Sequence, residues 1–198
     1  MAVNVITDIE KELAYWDEAA KDPDVANKYI ANVDLGDCLD AIVNSLLAGS
    51  ILDIGCGIGR LSEAIAENAP ACQLHGIDIS EKMLELTPKP TKVKYKLCDG
   101  RKIPYPDQSF ESVYSMLVFQ HIDDAAMLGY IKETYRVLKD NGVFRFQFVE
   151  GDHDGFVDHN HNLDEVTNWL RDTGFEIANI DKNLVLPQWT WVTGVKTS

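Results

Sequence analysis

The chain has 198 residues, 45% hydrophobic and 25% charged, an ordinary globular mixture for one α/β domain with its own core. Eighteen Lys and Arg stand against 32 Asp and Glu, a formal net charge of −14 that argues against long nucleic acid or an anionic membrane as a partner. Cys38, Cys56, Cys72 and Cys98 are scattered with no Cys-x-x-Cys pair, so free thiols in a reducing, cytoplasmic setting are expected.

Taken in order, residues 1–12 are acidic and carry no apolar core of a signal peptide, and no later run is long enough to span a membrane. The basic residues do not gather into one run. Residues 4–20 repeat Ile6, Ile9, Leu13 and Trp16 at helical spacing, and Asp22-Pro23 breaks the pattern. Residues 37–48 form a second helix with Gly49 as its stop. Residues 50–54 then read as a buried strand that ends in Asp53 and Ile54 and runs into Gly55-Cys56-Gly57-Ile58-Gly59-Arg60, a turn almost without side chains, followed at once by a helix over 61–68. The start of such a helix offers unpaired N–H groups and a partial positive charge to a ligand.

Strand two spans 73–79, Ser80 caps a helix over 81–86, and Pro88 and Pro90 end it. Strand three is 92–97, strand four 112–116, and a helix over 124–138 precedes strand five at 143–149. After a helix over 163–173 and its stop at Gly174, two strand patterns, 175–182 and 189–196, leave too little room for a helix between them and so form a hairpin. The fold class is therefore a Rossmann-like, doubly wound α/β sheet, mostly parallel, with an antiparallel C-terminal hairpin strand and helices on both faces. One domain is expected over 1–198, an N-terminal helical lid or cap over 1–36 and the α/β core over 37–198.

Open α/β sheets bind ligands at the carboxyl ends of their strands, near the switch in strand order. Asp53 ends strand one, Asp78 ends strand two about 20 residues past the glycine turn, and Asp99 ends strand three beside Gly100. Each aspartate alone reads as a turn former or helix cap; together with the glycine turn they read as a site. The dinucleotide fingerprint Gly-x-Gly-x-x-Gly is broken, because Arg60 stands in its third glycine slot and the glycine falls one place early, at Gly59. Asp53 and Glu63 bracket the turn, which suits a cationic ligand better than a pyrophosphate.

The run Asp53-x-Gly55-x-Gly57-x-Gly59 resembles the first motif of the class I S-adenosylmethionine-dependent methyltransferases, and the resemblance extends from about residue 37 to the C-terminus. Residues 109–148, with Phe110-Glu111-Ser112-Val113 and Arg136-Val137-Leu138-Lys139-Asp140-Asn141-Gly142, are similar to the small-molecule enzymes of the ubiquinone-biosynthesis type, with Asp140-Asn141-Gly142 in place of the usual Pro-Gly-Gly. The resemblance implies S-adenosyl-L-methionine as cofactor. Gly55, Gly57 and Gly59 would admit the methionine part, and Asp53 would sit near its ammonium. Asp78 with Ile79 would hold the ribose, Asp99 with Gly100 the adenine, and Met116 would border the transferred methyl.

The segment Met116-Leu117-Val118-Phe119-Gln120-His121 carries the candidate base His121, whose alternative reading is a structural histidine under the following helix. Gln120, His161 and, on the lid, Tyr15 and Trp16 are the candidate substrate residues. No Asn/Asp-Pro-Pro-Tyr run and no Pro-Cys nucleophile is present at this point, which turns the expectation from nucleic acid toward a small-molecule acceptor. The segment from Glu150 to His161 holds three histidines and three aspartates after its first residue, but their spacing matches no metal motif, and no metal is expected there. Asn162, with Glu165 three residues on, caps the next helix. The rival readings are a cofactor-binding module without turnover and, further off, a nicotinamide-dependent oxidoreductase.

Overall fold

In the computed structural model, residues 8–22, 24, 35–151 and 159–197 are described. Ile6, Pro23 and the stretch 152–158 with His153 lie outside them. The elements run α1 (Asp8–Ala19), α2 (Leu35–Val43), β1 (Ser50–Ile54), α3 (Arg60–Asn68), β2 (Gln73–Asp78), α4 (Glu81–Glu85), β3 (Lys94–Leu97), β4 (Phe110–Ser115), α5 (Asp124–Val137), β5 (Leu138–Val149), α6 (Leu163–Thr173), β6 (Phe175–Lys182) and β7 (Trp189–Lys196). A single turn of 3-10 helix, Phe119–His121, links β4 to α5.

β1 is central because its sequence leaves it no solvent face. Ile51, Leu52 and Ile54 are all buried, as a strand covered on both sides requires. The seven strands lie in the order β3-β2-β1-β4-β5-β7-β6. β1 pairs in parallel with β2 and β4. β7 runs antiparallel to both β5 and β6, the hairpin that the closing strand patterns imply. The chain order reverses at β1, so the carboxyl ends of β1 and β4 open the crevice in which a ligand can sit.

Alternation along the strands sorts the core into two layers. Leu52, Phe144, Phe146 and Phe148 pack on one face with Met127 and Ile131 of α5 and Val166 and Leu170 of α6. Ile51, Tyr114, Val149 and Trp191 pack on the other with Ile42 of α2 and Ile65 of α3. Arg145 is buried on that second face, where its guanidinium bonds the Ala41 carbonyl and Thr193 Oγ1, pairs with Asp181 at 2.9 Å and lies over Trp191. Trp189 and Trp191 are core side chains.

Two expected boundaries move. α2 ends at Val43, six residues before Gly49, because the chain peels away to pair with β4: Leu47 N–H donates to Ser112 Oγ at 2.7 Å, and Ser112 Oγ donates back to the Leu47 carbonyl. β5 starts at Leu138, directly after α5, and Asn141 takes φ +63 at its irregular beginning, where the register with β4 slips between Phe110 and Ser112. The caps fall where local chemistry places them. Ser80 Oγ accepts from Met83 N–H, Asn162 Oδ1 from Asp164 and Glu165 N–H, and Gly174 ends α6 at φ +110.

The even spread of basic residues expected along the chain does not hold, because six of the 18 Lys and Arg fall between residues 89 and 102. Lys89, Lys92, Lys94, Lys96, Arg101 and Lys102 are all exposed along and beside β3, at one edge of the sheet.

Candidate functional site

The glycine turn is stitched to β2. Gly55 and Cys56 N–H both donate to the Ile77 carbonyl, at 2.8 and 3.0 Å, and Gly57 N–H donates to Asp78 Oδ2 at 2.8 Å. Gly55 lets Val118 approach: a Cβ there would lie 2.2 Å from Val118 Cγ2. Gly57, at φ +53, differs in that a Cβ would meet no atom within 4 Å, so the turn presents bare backbone to open space. Gly59 is pressed beneath Tyr95, whose hydroxyl also bonds Glu63 at 2.9 Å. No side chain caps the N-terminus of α3.

The two buried carboxylates flank this turn. Asp53 Oδ2 accepts from Ser62 Oγ at 2.6 Å and from Tyr114 Oη at 2.8 Å. Burial pushes the Asp53 carboxyl up to about 7, against the pull of those two hydroxyls. Asp78 Oδ1 accepts from Ser80 N–H at 2.9 Å while Oδ2 holds Gly57, and burial raises its pKa as well, opposed by these backbone donors. The Asp78 carboxylate still keeps acceptor capacity for a ligand hydroxyl beside these backbone donors.

The turn, the two carboxylates and the β4–α5 link enclose a cavity of about 180 Å³. Ile79 and Gly100 wall the end beneath β2 and β3, and Met116, Leu117, Val118 and His121 wall the opposite end. Its roof is α1. Ile9 packs on Gly100, where an added Cβ would lie 2.8 Å from Ile9 Cγ2, and Trp16 meets the His121 ring edge-on at 5.3 Å. Glu12, on the same helical face, accepts from Trp16 Nε1 at 3.0 Å. Asp17 fastens α1 to the start of α4, accepting from Ser80 Oγ at 2.7 Å and pairing with Lys82 at 2.9 Å.

Most of the residues singled out by sequence therefore converge: Asp53, Gly55, Gly57, Asp78, Ile79 and Gly100 line one cavity, with Met116, His121 and Trp16. Five do not reach its wall. Gly59 lies under Tyr95. Asp99 is exposed, and its Oδ1 is occupied by Arg101 and Lys102 N–H at 2.9 and 2.8 Å, which holds its pKa below the usual carboxylate value. Tyr15 is 44% exposed and meets Trp16 edge-on at 5.1 Å. Gln120 is buried behind the wall and accepts from Gln147 Nε2. His161 is buried between the Phe119 carbonyl, at 2.6 Å, and Asp124 Oδ1, at 2.7 Å, so it straps the loop after β5 to the link instead of facing a ligand. Among the described residues no three metal-ligating side chains converge.

Ile9, Glu12, Leu117, Val118, Ile122 and Tyr130 line the cavity without having been singled out. The signal for the first two lay in the helical period of α1, because residues 9, 12 and 16 share a face.

The donor set fits a ligand with a cationic centre and vicinal hydroxyls: a buried carboxylate at Asp53, paired acceptors at Asp78, and a bare backbone cradle at Gly57. A family model described as a methyltransferase domain matches residues 51–142. The chain is 34% identical over 98 residues to a ubiquinone/menaquinone biosynthesis C-methyltransferase from Desulfotalea psychrophila, a match that covers 48% of this chain and 39% of that protein. It thus spans less than half the length of that curated relative. Its fold is that of a Haloferax volcanii putative methyltransferase solved with its Trm112 activator, with a TM-score of 0.77 at 18% identity over 92% of this chain and 98% of the other. It is equally that of a Haemonchus contortus phosphoethanolamine N-methyltransferase solved with phosphomonomethylethanolamine and S-adenosylhomocysteine, with a TM-score of 0.72 at 18% identity over 92% of this chain and 60% of the other. Residues 51–142 thus match a methyltransferase domain, and the chain has the fold of solved methyltransferases, which together support a class I S-adenosylmethionine-dependent methyltransferase with S-adenosylmethionine as cofactor.

Proposed function

We propose that the protein transfers a methyl group to a small-molecule acceptor by in-line displacement. The observation that carries this reading is the continuity of one cavity from the glycine turn and Asp78 to the Trp16–His121 pair. Asp78 would hold the ribose hydroxyls, Asp53 would face the ammonium, and the Gly57 backbone would carry the chain between them. The bound cofactor supplies a methyl on a sulfonium. The protein's work is then to align the acceptor and exclude water. Trp16, Leu117, Ile122 and Tyr130 make the acceptor end apolar and aromatic, and α1 closes it. His121, at 3% exposure, would take a proton from an oxygen or nitrogen nucleophile.

The relative's quinone-ring chemistry and the fold neighbour's phosphoethanolamine both belong to small acceptors, which supports the same class here. The acidic surface supports the exclusion of nucleic acid and anionic membrane, and no helix among the described residues is long and apolar enough to cross a membrane. All four cysteines are free thiols, which supports a reducing, cytoplasmic setting.

The test is calorimetric titration with S-adenosylhomocysteine, followed by methyl transfer from labelled cofactor to a panel of phenols, quinols and small amines. Binding that Asp78→Ala weakens, and transfer to a panel member that His121→Ala slows, are the expected results. Binding with no transfer to any member would make the chain a cofactor-binding module. Unchanged turnover in His121→Ala would remove the base.

A further inference from the structure

Leu117 is a bulky residue in the left-handed region, at φ +60, in the cavity wall where the chain leaves β4. A branched side chain holds such a backbone only when its surroundings impose it. Leu117 also packs against the second core layer, and one of the groups that hold it is a buried amide. Gln147 of β5 is fully buried, and its Oε1 accepts from Leu117 N–H at 3.0 Å. That contact fixes the orientation of the amide, because only its oxygen can face an N–H. Its Nε2 is then turned to donate to Gln120 Oε1, at 3.1 Å. One side chain thus bonds both ends of the bend, the residue after Met116 and the residue before His121. The bend in turn seats Val118 against Gly55 and sets the His121 ring against Trp16. Gln147 is not in the cavity wall itself.

We infer that Gln147 is a positioning residue for methyl transfer: its amide imposes the left-handed turn at Leu117 and so sets the wall between the glycine turn and His121. The inference rests on the cofactor site and not on the identity of the acceptor, so it is testable with S-adenosylhomocysteine alone. Gln147→Leu keeps the volume and removes both bonds. Leu117→Gly makes the left-handed backbone intrinsically accessible.

In the wild-type background, Gln147→Leu is expected to weaken S-adenosylhomocysteine by about tenfold, the scale of the strain of one non-glycine residue in the left-handed region. In the Leu117→Gly background the same substitution is expected to cost much less, since glycine holds the turn unaided. Hydrogen exchange adds a local readout: in Gln147→Leu the peptide 116–122 exchanges faster while β4 stays protected. An equal loss of affinity in the two backgrounds, no loss in either, or faster exchange throughout β4 would each overturn the positioning role. Absence of S-adenosylhomocysteine binding by the wild-type protein would instead overturn the cofactor reading on which it stands.

Discussion

Asp53 has a carboxyl pushed up to about 7 by burial, and in the proposed function it faces the ammonium of the cofactor's methionine end. In the free protein the group gains its proton as pH falls through about 7, and it must lose that proton to pair with the cation. The sign for stability is separate. A folded pKa raised above the ordinary 3.8 gives stability that is full below 3.8 and lost as pH rises toward 7, so Asp53 favours binding at a cost to the free fold. S-adenosylhomocysteine affinity is therefore expected to fall as pH drops from 8 to 6, approaching a tenfold loss per unit once Asp53 is mostly protonated. Calorimetry near pH 6 in buffers of different ionisation enthalpy should show proton release on binding, and Asp53→Asn should abolish both effects. A pH-independent affinity in the wild-type protein would place the ammonium elsewhere.

Among the elements, α1 is the one that covers the cavity. It lies across the whole cleft, with Ile9 over Gly100 at one end and Trp16 against His121 at the other, and its side-chain bonds to α4 run through Asp17. Asp17→Ala removes the acceptor for Ser80 Oγ and the partner of Lys82; Asp17→Asn keeps an acceptor for Ser80 but no charge. Displacement of S-adenosylhomocysteine followed by stopped-flow Trp fluorescence should therefore give dissociation several-fold faster in Asp17→Ala, with Asp17→Asn between it and the wild-type protein. Equal rates in all three would mean that α1 does not gate release. That α1 is helical was legible from its apolar spacing, and so were β1, the glycine turn, the Ser80 and Asn162 caps and the closing hairpin, because each is settled by neighbours within a few residues. The end of α2 was not legible, because it is set by Ser112 sixty-five residues from its partner Leu47. Nor were the roles of Gln120 and His161. Each is a polar residue at a plausible position whose partner, Gln147 or the Phe119 carbonyl, is known only once the chain is folded.

For the whole molecule, the open question is what keeps a seven-stranded sheet from growing. β3 and β6 are its edges. Cys98 N–H donates inward to the Asp78 carbonyl, so by the alternation of a parallel ladder the N–H groups of Tyr95 and Leu97 point outward, unpaired by any strand among the described residues. Leu86 and Leu97, each 47% exposed, add apolar surface there. Such an edge is a template for a second copy unless something prevents it, and exposed lysine is a common means. On a chain of net charge −14, six basic residues between 89 and 102 make this the one strongly basic tract, and two copies pairing β3 to β3 would bring lysine against lysine. The lysines of this edge are therefore expected to keep copies apart. Lys92→Thr with Lys94→Thr raises strand propensity and removes that repulsion while leaving Lys96 on its Pro104 carbonyl. Sedimentation velocity across a concentration series is expected to show larger species growing in for the double variant and not for the wild-type protein, with salt promoting association of the wild-type by screening the same charges. Identical profiles at every concentration and salt would show that the edge is protected by its shape and short length instead.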